Sequence, residues 1–154
     1  DVVVGRVGGR ALQLPLNYQV LYTEPVCFVA RPDHPLAKYP LLTWHDLANW
    51  RWIVWPTGTP IRISIDNALV DNGVMLPENI IESASINVST NLLQSSDMIS
   101  ILSLRLAQRY AAQGQLAILN LPKIEQKGSV GVFWRNNETP TTALNRFLYY
   151  LAQA

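Results

Sequence analysis

The strongest constraint on this chain is an alternation. Short β-branched and aromatic runs are followed, again and again, by amphipathic stretches bounded by helix-capping residues. Asp1-Val-Val-Val-Gly5 reads as a short buried strand ending at a glycine, and residues 16–30 contain extended segments. Among these, Pro25-Val-Cys-Phe-Val-Ala30 is β-rich and is stopped by Pro32 and Pro35, which fix φ and hold the preceding residues extended. Thr43 is placed to cap a short helix running through Trp50, with Asp46 at the capping-box position. A strand over 52–55 leads to Thr57-Gly-Thr-Pro60, where Thr59 suits the N-cap, Pro60 the first helical position and Gly73 the C-terminal stop. Ile61, Ile65, Ala68 and Leu69 then share one helical face. Further strands are expected over 79–82, 98–102, 116–121 and 129–134, with helices over 87–94 and 104–112. A final helix starts at Thr139 and Pro140, with Ala143, Leu144, Phe147, Leu148 and Leu151 on its apolar face. Units of this kind predict an α/β fold with a mainly parallel sheet covered on both faces.

Composition narrows the function. The chain has 154 residues, 49% of them apolar and 15% charged, which suits one domain or two small lobes. No apolar run approaches the roughly 20 residues needed to span a bilayer, so no membrane contact is expected. The twelve Lys and Arg are scattered and the net charge is +1, so these residues lack the basic footprint of a DNA-contacting surface. Cys27 is the single cysteine, which excludes an internal disulfide and fits a reducing, cytoplasmic setting. His34 and His45 share no metal-ligand spacing with each other or with Cys27, and no nucleophile or nucleotide motif is present. Neither metal, cofactor nor catalytic residue is therefore expected. The units over 43–121 make a complete small lobe. What lies outside amounts to a strand at the start, a strand at the end and one helix, too little to cover a sheet on both faces. The expectation is a fragment whose first lobe is incomplete, with residues 1–24 and 130–154 in the first lobe and 25–129 in the second.

Four blocks carry a family resemblance: Val26-Cys-Phe-Val-Ala-Arg-Pro-Asp-His-Pro-Leu-Ala37, Leu42-Thr-Trp-His-Asp-Leu-Ala-Asn-Trp50, the opening Asp1-Val-Val-Val-Gly-Arg6, and residues 121–135. In this order, over essentially the whole chain, they resemble the effector-binding domain of LysR-type transcriptional regulators. The Trp55-Pro-Thr-Gly-Thr-Pro60 loop and Ser96-Asp97 are similar to a subgroup that senses sugars or aromatic acids, the galactose-binding-protein-regulator-like one. The resemblance implies a type 2 periplasmic-binding-protein-like fold, with two α/β lobes joined by crossover strands near residues 23–27 and 128–132. It further implies a small-molecule effector, sugar or carboxylate, in the interlobe cleft, and assembly as a homodimer or homotetramer. DNA would be contacted through an N-terminal winged helix-turn-helix not in this chain. The chain departs from the family at Ser95-Ser-Asp97, where a glycine-rich turn is common, and at Ser103, near which many members have proline. A transport-associated solute-binding protein of the same fold is the alternative. An enzyme on that fold would need a reactive group in the cleft, and Cys27 lies in an apolar run where an inert role is expected.

The leading site candidate is Thr57-Gly58-Thr59-Pro60. It lies after a strand and at a helix N-terminus, where free N–H groups and the helix dipole favour an anion and the hydroxyls can serve a sugar. The resemblance places an effector-contacting loop there as well. The plain alternative is that Thr59 only caps the helix. Ser83 and Ser85 follow another strand, where open α/β sheets bind ligands, or else simply cap the next helix; at Ser103 capping is the expectation. Gly5 and Arg6 end the first strand, and Arg6 can clamp a carboxylate or sit loosely paired on the surface. Glu24 faces the cleft or forms a hinge salt bridge. Arg62 is expected to be solvated, and Trp44, Trp50, Trp52 and Trp55 to pack in the core, with Trp55 alone near enough to the Thr57 loop to line a pocket.

Overall fold

The computed structural model describes residues 2–8, 12–121, 129–136 and 141–151. In chain order the elements are β1 (Val2–Val7), β2 (Leu16–Thr23), β3 (Val26–Ala30), a 3-10 turn (Pro35–Lys38), α1 (Trp44–Leu47), β4 (Trp52–Val54) and α2 (Pro60–Asp71). They continue with β5 (Ile80–Glu82), α3 (Ile86–Gln94), β6 (Ile99–Ser103), α4 (Leu104–Ala112), β7 (Ala117–Ile118), β8 (Ser129–Arg135) and α5 (Thr142–Leu151). The chain divides into two compact units, Asp1–Glu24 with Lys127–Ala154, and Pro25–Gln126.

The Pro25–Gln126 unit is built on a five-stranded sheet in the order β5-β4-β6-β3-β7. β4 runs parallel to β5 and β6, whereas β3 is antiparallel to both β6 and β7. The sheet is therefore mixed, not mainly parallel. An apolar run buried on both faces suits either direction, so local pattern does not reveal which way β3 points. Successive residues alternate between two cores. Phe28, Trp52, Val54, Ile99 and Ile101 pack with Trp44, Leu47, Ile61, Ile65 and Leu69 on one face. Val29, Ile53 and Leu102 pack with Leu93 and Ala107 on the other. The result is the expected sheet with helices on both sides.

Two elements fall short of expectation by more than one residue. α1 stops at Leu47 instead of reaching Trp50: the Leu47 carbonyl accepts both the Trp50 N–H, at 3.2 Å, and the Trp52 indole N–H, at 3.0 Å. That diversion closes the helix after one turn. β7 pairs only at Ala117 and Ile118, although the chain stays attached beyond them through Leu119 N–H to the Phe28 carbonyl at 2.9 Å.

The other unit holds a three-stranded antiparallel sheet, β1-β8-β2. Sequence reasoning paired only a first and a last strand; β2 adds a third, with a register shift between Val20 and Tyr22. Gly131 lies opposite Gly5 and Val20 at the centre of β8. A Cβ there would meet the Gln19 carbonyl oxygen at 2.7 Å and Val7 Cγ2 at 2.6 Å, so this strand crossing requires glycine. Val130, Val132 and Phe133 are buried, but no described residue of α5 is. Thr141 accepts the Leu144 N–H at 3.2 Å at the start of α5; Thr139 and Pro140 lie outside the described residues. No described helix is long and apolar enough to cross a membrane.

Candidate functional site

In the Pro25–Gln126 unit, β4 and β5 end side by side, with Val54 in register with Glu82 and the Ser83 N–H bonded to the Val54 carbonyl at 2.9 Å. The chain leaves β4 through Trp55 and Pro56 into a tight turn. Gly58 adopts φ +83°, a left-handed conformation that glycine takes without steric cost, and the Thr59 N–H returns to the Pro56 carbonyl at 3.2 Å. Pro60 then opens α2, as expected from its preset φ. Thr59 occupies the N-cap position but does not cap through its side chain. Its hydroxyl donates to the Pro56 carbonyl at 2.8 Å, an acceptor supplied by the turn itself. The expected hydroxyl cap is thus replaced by a bond that stiffens the turn.

Arg62, expected to be solvated, is buried in the first turn of α2. Its Nε donates to Asp66 Oδ1 at 2.8 Å, and its Nη1 donates to Glu82 Oε1 at 2.8 Å and to the Trp55 carbonyl at 3.2 Å. Burial works against its charge, but the hydrogen bonds and charges of Asp66 and Glu82 outweigh burial and raise its pKa above the ordinary arginine value. The same Glu82 oxygen accepts the Thr57 hydroxyl at 3.1 Å. The loop is thereby tied through Glu82 to Arg62. Sequence reasoning passed over Glu82. The available signal was its place at the carboxyl end of a strand, where open α/β sheets gather ligand groups.

The serines serve local backbone. Ser85 Oγ accepts the Val88 N–H at 3.4 Å as the cap of α3, and Ser83 Oγ accepts the Ser85 N–H at 3.1 Å. Ser103 stands at the N-cap of α4 with the extended backbone of a cap, but its hydroxyl makes no capping bond, contrary to expectation; the first helical N–H, that of Leu104, is met by the Pro25 carbonyl at 2.8 Å. Trp44 and Trp52 are core residues packed edge-on against Phe28. Trp55 is partly buried and its indole N–H reaches the Ile101 carbonyl at 3.0 Å. Cys27 lies among the apolar residues and burial pushes its thiol up to about 11.

In the other unit, Gly5 and Arg6 lie near the end of β1, and Glu24 follows β2. Arg6 Nη1 donates to the Glu24 carbonyl at 3.2 Å, and Nη2 stands 3.9 Å from Glu24 Oε2. Both side chains are largely buried, at 15% and 14% exposure. Burial lowers the Arg6 pKa, with Glu24 and Tyr22 opposing that shift. Arg6 Nη2 is buried and has no hydrogen-bond partner among the described residues. Arg6 and Glu24, considered separately from the sequence, therefore form one partly satisfied pair.

The model of the LysR substrate binding domain family matches residues 2–154. The HTH-type transcriptional regulator GbpR of Azospirillum brasilense is 30% identical over 135 residues, covering 87% of this chain and 40% of its own length. The HTH-type transcriptional regulator PcaQ of Agrobacterium fabrum is 29% identical over 154 residues, covering 100% of this chain and 50% of its own length. The chain thus spans half or less of these relatives. Among solved structures, the regulatory domain of CcmR from Synechocystis PCC6803, in complex with 2-PG, superposes with a TM-score of 0.82 at 22% identity, covering 99% of this chain and 72% of that one. The effector binding domain of QuiR in complex with shikimate gives 0.76 at 17% identity, covering 90% and 65%. These superpositions establish the type 2 periplasmic-binding-like α/β fold.

Proposed function

Since the chain belongs to the LysR substrate binding domain family, we propose that it is the effector-sensing part of a DNA-binding transcriptional regulator and takes a small molecule, sugar or carboxylate. The observation that carries this reading is the family match across residues 2–154, joined to relatives that are HTH-type regulators. In the Pro25–Gln126 unit the effector meets Thr57, Gly58, Thr59 and Pro60, with Ser83 and Ser85 beside them; in the other it meets Gly5, Arg6 and Glu24. The stiff Gly58 turn and the adjoining ends of β4 and β5 support the first assignment. The buried Nη2 of Arg6, without an acceptor among the described residues, supports the second. The domain senses and does not catalyse; its one thiol is held protonated by burial. DNA is bound through an N-terminal winged helix-turn-helix outside this chain, in a homodimer or homotetramer working in the cytoplasm. The effector acts by binding one conformation of the domain more tightly than another.

The test uses the complete protein. DNA fragments that it retains are selected, and candidate sugars and carboxylates are titrated against their binding. Discrete sites whose affinity changes with a compound support the reading. A complete protein with a secretion leader, binding solute but no DNA, would move it to the solute-binding alternative. Replacing Thr57 and Thr59 together by Ala is expected to weaken effector binding by roughly tenfold or more, the size of one or two lost polar contacts. Calorimetry showing unchanged affinity in the folded double variant removes the loop from the site.

A further inference from the structure

The geometry points to Glu82 as the residue that sets effector chemistry at the Thr57 loop: it accepts hydroxyl groups of a neutral polyhydroxylated ligand and turns away carboxylates. This inference rests on the sensing role proposed above. It starts from charge. Arg62 is the cation of the first turn of α2, and it is already shared between two carboxylates, Asp66 and Glu82, each at 2.8 Å. One guanidinium and two carboxylates leave the cluster with a net negative charge. An effector carboxylate entering beside Thr57 would therefore meet repulsion where the bare helix terminus alone would attract it.

Hydrogen bonding leads to the same ligand class. The bonds that Arg62 and Thr57 make to Glu82 both end on Oε1, and the Glu82 side chain remains 44% exposed. Accepting capacity is thus left on a carboxylate whose position is fixed by a buried arginine. The Thr57 hydroxyl spends its proton on Glu82 and the Thr59 hydroxyl spends its proton on Pro56. Their oxygens can still accept, so this surface offers acceptors to a donor-rich ligand. A sugar hydroxyl is such a donor, and a carboxylate has none to give. Arg6, in the other unit, differs: its Nη1 donates to the Glu24 carbonyl and its Nη2 stands 3.9 Å from the Glu24 carboxylate without a hydrogen bond, so the selection against carboxylates belongs to the Thr57 loop alone.

The experiment measures calorimetric affinity of the complete regulator for matched pairs of probes: D-glucose with D-glucuronate, D-galactose with D-galacturonate, and, as simple carboxylates, benzoate and succinate. Glu82→Gln keeps an oxygen for Arg62 and Thr57 but removes the charge. Asp66→Asn removes a charge of the same cluster that does not touch the loop. Expected are an aldose bound at least tenfold more tightly than its uronate, a loss of roughly tenfold for that aldose in Glu82→Gln, a narrowed gap to the uronate, and little change in aldose affinity in Asp66→Asn. A carboxylate bound more tightly than every aldose overturns the inference and leaves the sensing role standing. Equal aldose affinity in wild type and folded Glu82→Gln overturns the assignment to Glu82. If no probe of either class binds, the inference falls, and the sensing role stands or falls on the DNA-binding titration of the complete protein.

Discussion

His34 is fully buried, and each of its ring nitrogens has a defined task. Nδ1 accepts the Leu36 N–H at 3.1 Å, so Nε2 carries the proton and meets the Asp97 carbonyl at 3.2 Å. The ring packs on Trp50 at 4.3 Å, and Arg31 donates twice to the Asp97 carboxylate beside it. A second proton would set an N–H against the Leu36 N–H. The His34 pKa is accordingly lowered, by burial first and by Arg31, with the carbonyl and charge of Asp97 opposing. The sign of the linkage follows. Between the lowered folded value and the ordinary value of 6.5, the unfolded chain binds more protons than the folded one. Stability is therefore full above that ordinary value and falls as pH drops through it. Urea midpoints measured near pH 7.5 and near pH 5.5 are expected to show a fall that shrinks in His34→Gln, a variant that is also less stable by about 1–3 kcal/mol at the higher pH. Pro32 and Pro35 marked the end of the strand before His34. The burial of His34 was not legible, because the Asp97 carbonyl that fixes it lies 63 positions away.

At the scale of elements, the two informative glycines differ in cause. Gly131 has a backbone oxygen and a valine methyl inside the space of a Cβ, so Gly131→Ala must displace β1 or β2. Its expected cost is roughly 1–3 kcal/mol, typical of overpacking, read as a lowered urea midpoint. Gly58 has nothing within 4 Å of where a Cβ would stand, but its φ of +83° is costly for any other residue. Gly58→Ala should cost about 1–2 kcal/mol from backbone alone, and should weaken effector binding more than stability suggests if the turn presents the Thr57 and Thr59 oxygens. The limits of α2 were legible from Pro60 and Gly73, since capping chemistry is local. The direction of β3 was not. An all-apolar strand reports that both its faces are covered and says nothing about its neighbours.

At the scale of the molecule, the two units are unequally filled. The Pro25–Gln126 unit has a core on each face of its sheet, with Phe28, Trp52, Ile53, Ile99 and Leu102 at 0–1% exposure. The other unit buries Val130, Val132 and Phe133, while Val3, Val4, Tyr18 and Val20 stay 48–64% exposed. Amide hydrogen exchange on this 154-residue chain is expected to protect β3, β4 and β6 far more than β1, β2 and α5. Equal protection in the two sheets would contradict that distribution of stability. By itself, the sequence determined the α/β alternation, the limits of α2 and the family, since periodicity, proline, glycine and ordered motifs act over a few residues at a time. Only the tertiary structure decided that Arg62 is buried between Asp66 and Glu82, that Thr57 serves that pair, and that Arg6 belongs with Glu24. Each of those outcomes depends on strand ends meeting in space, and a local pattern records which face a residue turns inward, not what it meets there.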